Sequence, residues 1–159
     1  MGSRSKATLA YIAGFLDGDG SLMLQIKKRK DGKIRLRFMC TICFYQDTRH
    51  EKNLFWIRKV FNIGYISRRN DGMTELRVNG FKQVKDILET LLPFIRFKKV
   101  QAKALYKSAQ ILSRSKFSDL KESQLRELIS YILIIQNNNY VTRHKRTEAE
   151  LLKALGLTP

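Results

Sequence analysis

The stretch Leu9-Ala-Tyr-Ile-Ala-Gly-Phe-Leu-Asp-Gly-Asp-Gly20 decides how this chain is read. An apolar run rich in small residues leads straight into two aspartates separated by glycine. Thr8 is suited to cap a helix over about 9–17, and Gly18 and Gly20 are suited to end it. Ala10, Gly14 and Gly18 recur every four residues, so one side of that helix is bare enough for another backbone to approach closely. Asp19 is expected just past the helix, where a tight turn between glycines exposes its carboxylate beside the Gly18 carbonyl. Hard oxygen donors of this kind suit Mg²⁺, which completes its shell with water and phosphate.

The rest of the chain is strongly basic. Its 159 residues are the size of one domain, expected over 8–159 with a core at about 8–113, C-terminal helices at about 114–159 and a disordered segment at 1–7. It carries 31 Lys+Arg against 14 Asp+Glu, a formal charge of +17 and a pI near 10.2. Such a field repels itself and calls for an anionic partner. Nucleic acid is favoured, because neutralised phosphates release counterions. A membrane is disfavoured: no apolar run reaches the roughly 18 residues a span needs. The polar opening residues do not read as a signal peptide, so an intracellular setting is expected.

Cys40 and Cys43 have the C-x-x-C spacing of a metal or redox pair. They fall in a stretch that alternates like a strand, so they are expected on opposite faces, one in the core and one at the surface. Zinc would need further ligands, and only His50 and His144 exist.

Around the opening helix the periodicities give an α-ββ-α-ββ-α order followed by further helices. Leu22, Leu24 and Ile26 alternate with polar residues, Asp31-Gly32 signals a hairpin, and Ile34 to Phe44 returns with apolar residues on one face. Helices are predicted over about 50–61, 81–92, 98–113 and 119–136, with a second hairpin over about 64–79 turning at Asn70-Asp71-Gly72. The expected fold is α+β: one four-stranded antiparallel sheet backed by helices, with a basic loop, Thr142-Arg-His-Lys-Arg-Thr147, before a last short helix. The polar sheet face carries Gln25, Lys27, Arg29, Arg35, Arg37, Tyr65, Ser67, Arg69, Glu75 and Arg77. Ordinary solvated faces mix signs; this one sets one glutamate among five arginines. A β-ribbon fits the DNA major groove, where Arg and Lys read guanine and Gln reads adenine. Arg143 and Lys145 of the basic loop are added to this candidate DNA-contacting set.

The run Ile12 to Gly20, followed by Ser21, resembles the signature of the LAGLIDADG homing endonucleases, in particular the intron-encoded members with one motif per chain. The similarity extends over about 10–113 through the element order, Gln46 after the second strand, Gly64-Tyr65, and Leu92-Pro93-Phe94-Ile95-Arg96-Phe97-Lys98 with Gln101. The resemblance implies a homodimer on a long pseudo-palindromic double-stranded DNA site, hydrolysing both strands to leave short 3′ overhangs. It implies motif helices packed at the dimer axis, with Ala10, Tyr11, Ala13, Gly14 and Asp17 at the interface. Asp19 and the Gly18 carbonyl would hold Mg²⁺, with Mn²⁺ or Ca²⁺ able to replace it in binding. Asp17 would be mainly structural, Gln46 would orient water, and Lys98 would stand near the scissile phosphate. Where some dimeric members place an arginine, four residues after Gln46, this chain has His50 with Arg49 beside it. A maturase of the same family, acting on intron RNA, is the alternative; a basic nucleic-acid protein without catalysis would leave Asp-Gly-Asp-Gly unexplained.

Overall fold

A computed structural model describes residues 4–30 and 36–159. The elements run α1 (Lys6–Asp19), β1 (Gly20–Lys28), β2 (Leu36–Asp47), α2 (Lys52–Phe61), β3 (Tyr65–Arg68), β4 (Met73–Asn79), α3 (Phe81–Leu91), α4 (Lys99–Arg114), α5 (Glu122–Asn138) and α6 (Glu148–Ala154). The four strands form one antiparallel sheet in the order β1-β2-β4-β3. This is the α+β architecture that the alternation predicts. The Asp31-Gly32 turn and Arg35 lie outside the described residues.

Register assigns the faces. Leu22, Leu24, Phe38, Cys40, Ile42, Phe44, Leu76 and Val78 point to one side and are buried there against Ile12, Ala13 and Leu16 of α1 and the apolar stripes of α3 and α4. Burial of such side chains stabilises by roughly 1.5–3 kcal/mol each, and the period of two keeps the register from slipping. α5 lies against β1 and α4, and α6 against α5.

Three expectations are corrected at the start of the chain. Ser5, not Thr8, caps α1: its hydroxyl accepts the Thr8 N–H at 3.1 Å. The segment 4–7 is also part of the fold rather than disordered. Arg4 donates from Nε to the Val60 carbonyl at 3.0 Å and lies over the Phe61 ring. α1 includes Asp19 as its last residue, instead of ending before it. The next residue already pairs in β1, opposite Phe44. This abrupt junction requires Gly20, because a Cβ there would sit 2.7 Å from the Leu16 carbonyl oxygen.

A fourth correction concerns Cys43. It is as buried as Cys40. Its place on the outer face is sealed by Tyr45, Arg77 and Glu75 around it. Burial pushes the Cys40 thiol up to about 12 and the Cys43 thiol to about 11, the latter in spite of Arg77 nearby.

Candidate functional site

The end of α1 is gripped from the side. Asp17 is buried, and its carboxylate accepts three successive backbone N–H groups at the entrance to α4: Arg96 at 2.7 Å, Phe97 at 3.2 Å and Lys98 at 3.0 Å. Lys98 reaches back. Its ammonium donates to the carbonyls of Leu16 and Asp17, both at 2.9 Å, and of Gly20 at 2.7 Å, with Gly18 farther off at 3.5 Å. The Asp17 and Gly18 carbonyls are orphan acceptors of the α1 C-terminus, where a cation is favoured by the dipole, whereas the Leu16 carbonyl also accepts the Gly20 N–H. Burial pushes the Lys98 ammonium below its usual range, and the charges of Asp17 and Asp19 partly offset this.

Asp19 is left exposed, with the Gly18 carbonyl as the least engaged acceptor of the group. Both line a cleft of about 800 Å³ together with Lys98, Ser21, Gln25, Lys27, Tyr45 and Arg69. The cleft therefore joins the end of α1 to the outer sheet face. Ser21 and Tyr45 hydrogen-bond each other at 2.9 Å on its floor. Its far wall is the segment after α5, with Tyr140, Thr142, His144 and Arg146. That wall is tied down twice: Asn139 donates to the Leu22 carbonyl at 3.3 Å, and the Gln136 side chain accepts the Arg146 N–H at 3.2 Å.

The basic loop borders the cleft. His144 and Arg146 line the cleft, whereas Arg143 and Lys145 are exposed without lining it. Residue composition marks such a loop; which side chain turns inward depends on the tether to Gln136, which leaves no periodic trace. On the sheet, the outer face carries Lys27 opposite Arg37, Tyr65 opposite Arg77 and Ser67 opposite Glu75, as the alternation requires. Arg29 and Arg37 flank a second groove at the other end of the sheet. Glu75 and Arg77 are paired with each other. Arg77 donates to the largely buried Glu75 at 3.0 Å and 3.2 Å, so the pair first satisfies itself.

No hydrogen bond joins Gln46 to Asp19 among the described residues. Its side-chain oxygen accepts the Asp47 N–H at 2.9 Å, and it lines a separate pocket with Tyr11, Phe15 and Trp56. His50 is exposed on a short turn where Arg49 is held by Asp47 at 2.8 Å. The Arg49 guanidinium holds the Asp47 carboxyl well below the usual carboxylate range.

Two of the five residues expected at a dimer interface face inward. Ala13 is fully buried in the chain's own core, and Asp17 is consumed by α4. Helical geometry explains this: positions 13 and 17 share the face of Leu9 and Leu16, whereas Ala10, Tyr11 and Gly14 point away. The outward stripe of Ala7, Ala10, Gly14 and Gly18 is exposed, and a Cβ added at Gly14 or Gly18 would meet nothing within 4 Å. Tyr11 stands beside it, 68% exposed, edge-on to Trp56 at 5.8 Å.

Among the described residues, no three of His, Cys, Asp and Glu converge, and no helix is long and apolar enough to cross a membrane. Asp19 and the Gly18 carbonyl still fit a hard cation whose shell is completed by water and phosphate oxygens.

The family model described as LAGLIDADG endonuclease matches residues 12–109. The DNA endonuclease I-CvuI of Chlorella vulgaris is 32% identical over 148 residues, covering 92% of this chain and 91% of that protein. Two solved structures of I-CvuI, one with the I-CreI target in the presence of 2 mM Mg and uncleaved DNA, one with its own target and 2 mM Ca, each give a TM-score of 0.73 at 29% identity, covering 97% of this chain and 98% of theirs. The archaeal intron-encoded homing endonuclease I-Vdi141I, complexed with DNA, gives a TM-score of 0.80 at 19% identity, covering 96% and 97%, a likeness of fold.

Proposed function

The chain belongs to the LAGLIDADG endonuclease family, and from that premise we propose that it is a site-specific homing endonuclease that cuts double-stranded DNA as a homodimer on a long pseudo-palindromic site. The observation that carries this reading is the position of Asp19. It is an exposed carboxylate at the end of a helix with a bare outer face, opening into a cleft floored by a cationic sheet.

The bare face of α1 accepts the same face of a second copy, an isologous contact that sets two Asp19 side chains near one axis. One carboxylate per chain cannot serve both strands, so the dimer supplies what the single chain lacks. Asp19 and the Gly18 carbonyl would hold Mg²⁺, with Mn²⁺ or Ca²⁺ as its substitute in binding. A metal held there would supply charge stabilisation for the attacking water and the leaving 3′ oxygen. Lys98 fixes the α1 C-terminus and brings positive charge to the place where the phosphate would lie. Gln25, Lys27 and Arg69 meet the duplex along the sheet, and Arg146 and His144 hold it from the opposite wall. Gln46, in its separate pocket, would act on water only after the two chains and the DNA come together. The exposed Asp19 favours hydrolysis over a role confined to splicing intron RNA.

The test is cleavage of a randomised duplex library in Mg²⁺, with the depleted sites and their ends sequenced. The reading predicts near-palindromic sites with short 3′ overhangs. Uncut libraries in every divalent metal, with the protein folded, would overturn it.

A further inference from the structure

The cleft does not account for the cations of α4. Lys99, Lys103, Lys107 and Arg114 are all exposed, and at four-residue and then seven-residue steps they fall in one stripe along the helix. Its buried residues, Ala102, Leu105, Ala109 and Leu112 among them, occupy the opposite side, where α4 packs on β1, β2, α3 and α5. The stripe therefore faces away from the sheet and from the cleft. With a rise of 1.5 Å per residue it runs for about 22 Å.

Neighbouring helices show what an ordinary solvated face looks like in this protein. α3 pairs Lys82 with Asp86 at 3.0 Å and Lys85 with Glu89 at 3.9 Å, and α5 pairs Arg126 with Glu122 at 2.7 Å. α4 contains no Asp or Glu at all. None of its four ridge cations is ion-paired among the described residues. Two further terms oppose such a ridge in isolation. Like charges four residues apart repel, and Lys99 sits in the first turn, at the positive end of the helix dipole. An extended anion relieves both at once; a single small anion relieves one step only.

We propose that the α4 ridge is a second, sequence-independent nucleic-acid surface, binding a phosphodiester backbone on the side of the molecule opposite the cleft. The steps of about 6 Å between successive lysines suit a polyanion with regularly repeated charge. A duplex held there would be brought to the protein alongside the one in the cleft; a single-stranded RNA would meet the same ammonium groups. The surface is independent of the cleavage reading and stands if that reading fails.

The experiment compares the full chain with its Lys99→Gln/Lys103→Gln/Lys107→Gln variant, in the parent and in a Lys27→Gln/Arg69→Gln background that weakens the cleft. Probes are a fluorescent random-sequence duplex, a random-sequence single-stranded RNA and a polyglutamate peptide, each titrated over a range of salt. The expected result is a fall of about 2 to 3 in the slope of log affinity against log salt for the duplex, the RNA or both. It should be clearest in the weakened-cleft background and restored by arginine at all three positions. A loss for the duplex alone or the RNA alone supports the ridge and names its source. Unchanged slopes for both nucleic acids overturn the proposal, as does a loss confined to polyglutamate, which would make the partner an acidic protein. Circular dichroism and cleavage of a cognate site should be unaltered by the triple variant.

Discussion

Asp17 and Lys98 hold each other twice over: the Asp17 carboxylate accepts the Lys98 backbone N–H at 3.0 Å, and the Lys98 ammonium donates back to the Asp17 carbonyl at 2.9 Å. A buried acid and a buried base thus lock α1 to α4 without forming a direct side-chain ion pair. The neighbouring Asp19 remains exposed.

The two aspartates should therefore fail in opposite ways. Asp17→Asn replaces a carboxylate bridging three N–H donors with one acceptor oxygen and an amide that repels them. A loss of about 2 to 3 kcal/mol is expected, read as a lowered denaturation midpoint with an unchanged slope. Asp19→Asn should leave the midpoint within about 0.5 kcal/mol, retain DNA binding and abolish cleavage. Cleavage persisting in Mg²⁺ would remove Asp19 from its proposed role.

Lys98→Met keeps the length and apolar stem while removing the ammonium. The carbonyls of Leu16, Asp17 and Gly20 then lose the ammonium, with Leu16 keeping the Gly20 N–H, at a cost of about 1 to 3 kcal/mol, and cleavage should fall as well. The pH dependence carries a sign. Burial lowers the Lys98 pKa in the folded state below its ordinary 10.5, so the unfolded chain holds the proton more tightly in the window just below 10.5. Stability of the parent relative to Lys98→Met should rise as pH climbs through that window. A flat difference would mean that the ammonium is not desolvated.

The thiols titrate the other way. Cys40 and Cys43 stay protonated in the fold to about 12 and about 11, against an ordinary thiol value of 9.0. From pH 9 upward the unfolded chain ionises first, so their contribution to stability is present below 9 and declines as pH rises. A Cys40→Ala/Cys43→Ala variant should show a shallower alkaline loss than the parent. Neither thiol should react with iodoacetamide at pH 8 without denaturant; rapid labelling of Cys43 would contradict its burial.

Gly14 tests the dimer. Its added Cβ meets open space within one chain, so Gly14→Leu should fold as a monomer with little change by circular dichroism. On the bare α1 face a leucine would keep two helix backbones apart. Sedimentation should shift toward the single-chain mass, and double-strand cleavage should give way to weak or no cutting. A variant that remains fully dimeric and active would place the interface elsewhere.

How much of this was legible in the sequence depends on the kind of signal. Strand alternation gave the sheet face, because Gln25, Lys27, Arg37 and Arg69 are positioned by a period of two that local sequence carries. The acidic end of α1 was visible from Asp17-Gly18-Asp19-Gly20 itself. What was hidden rests on contacts distant in sequence. Lys98 looks like a helix-start lysine until it is seen to lie under α1, about 80 positions upstream. Cys43 sits at an outward strand position, yet the Glu75–Arg77 pair of another strand covers it. Ala13 and Asp17 share a motif with outward-facing residues, and only the packing of α1 on the sheet and α3, with the segment 96–98 beside it, shows that they are consumed within the chain. The wall residues His144 and Arg146 are oriented by a tether to Gln136 on the preceding helix.

The junction at Gly20 has a consequence of its own. The last residue of the motif helix and the first paired residue of the sheet are adjacent in the chain, and a side chain at Gly20 would be refused by Leu16. If Asp19 cuts and the outer sheet face reads, as proposed, the two are marks on one ruler with Asp19 at zero. Substitutions along β1 and β2 can change which letters are read, but they cannot slide the cut along the DNA. Over evolutionary time such a protein can exchange its address while the offset between address and incision stays constant.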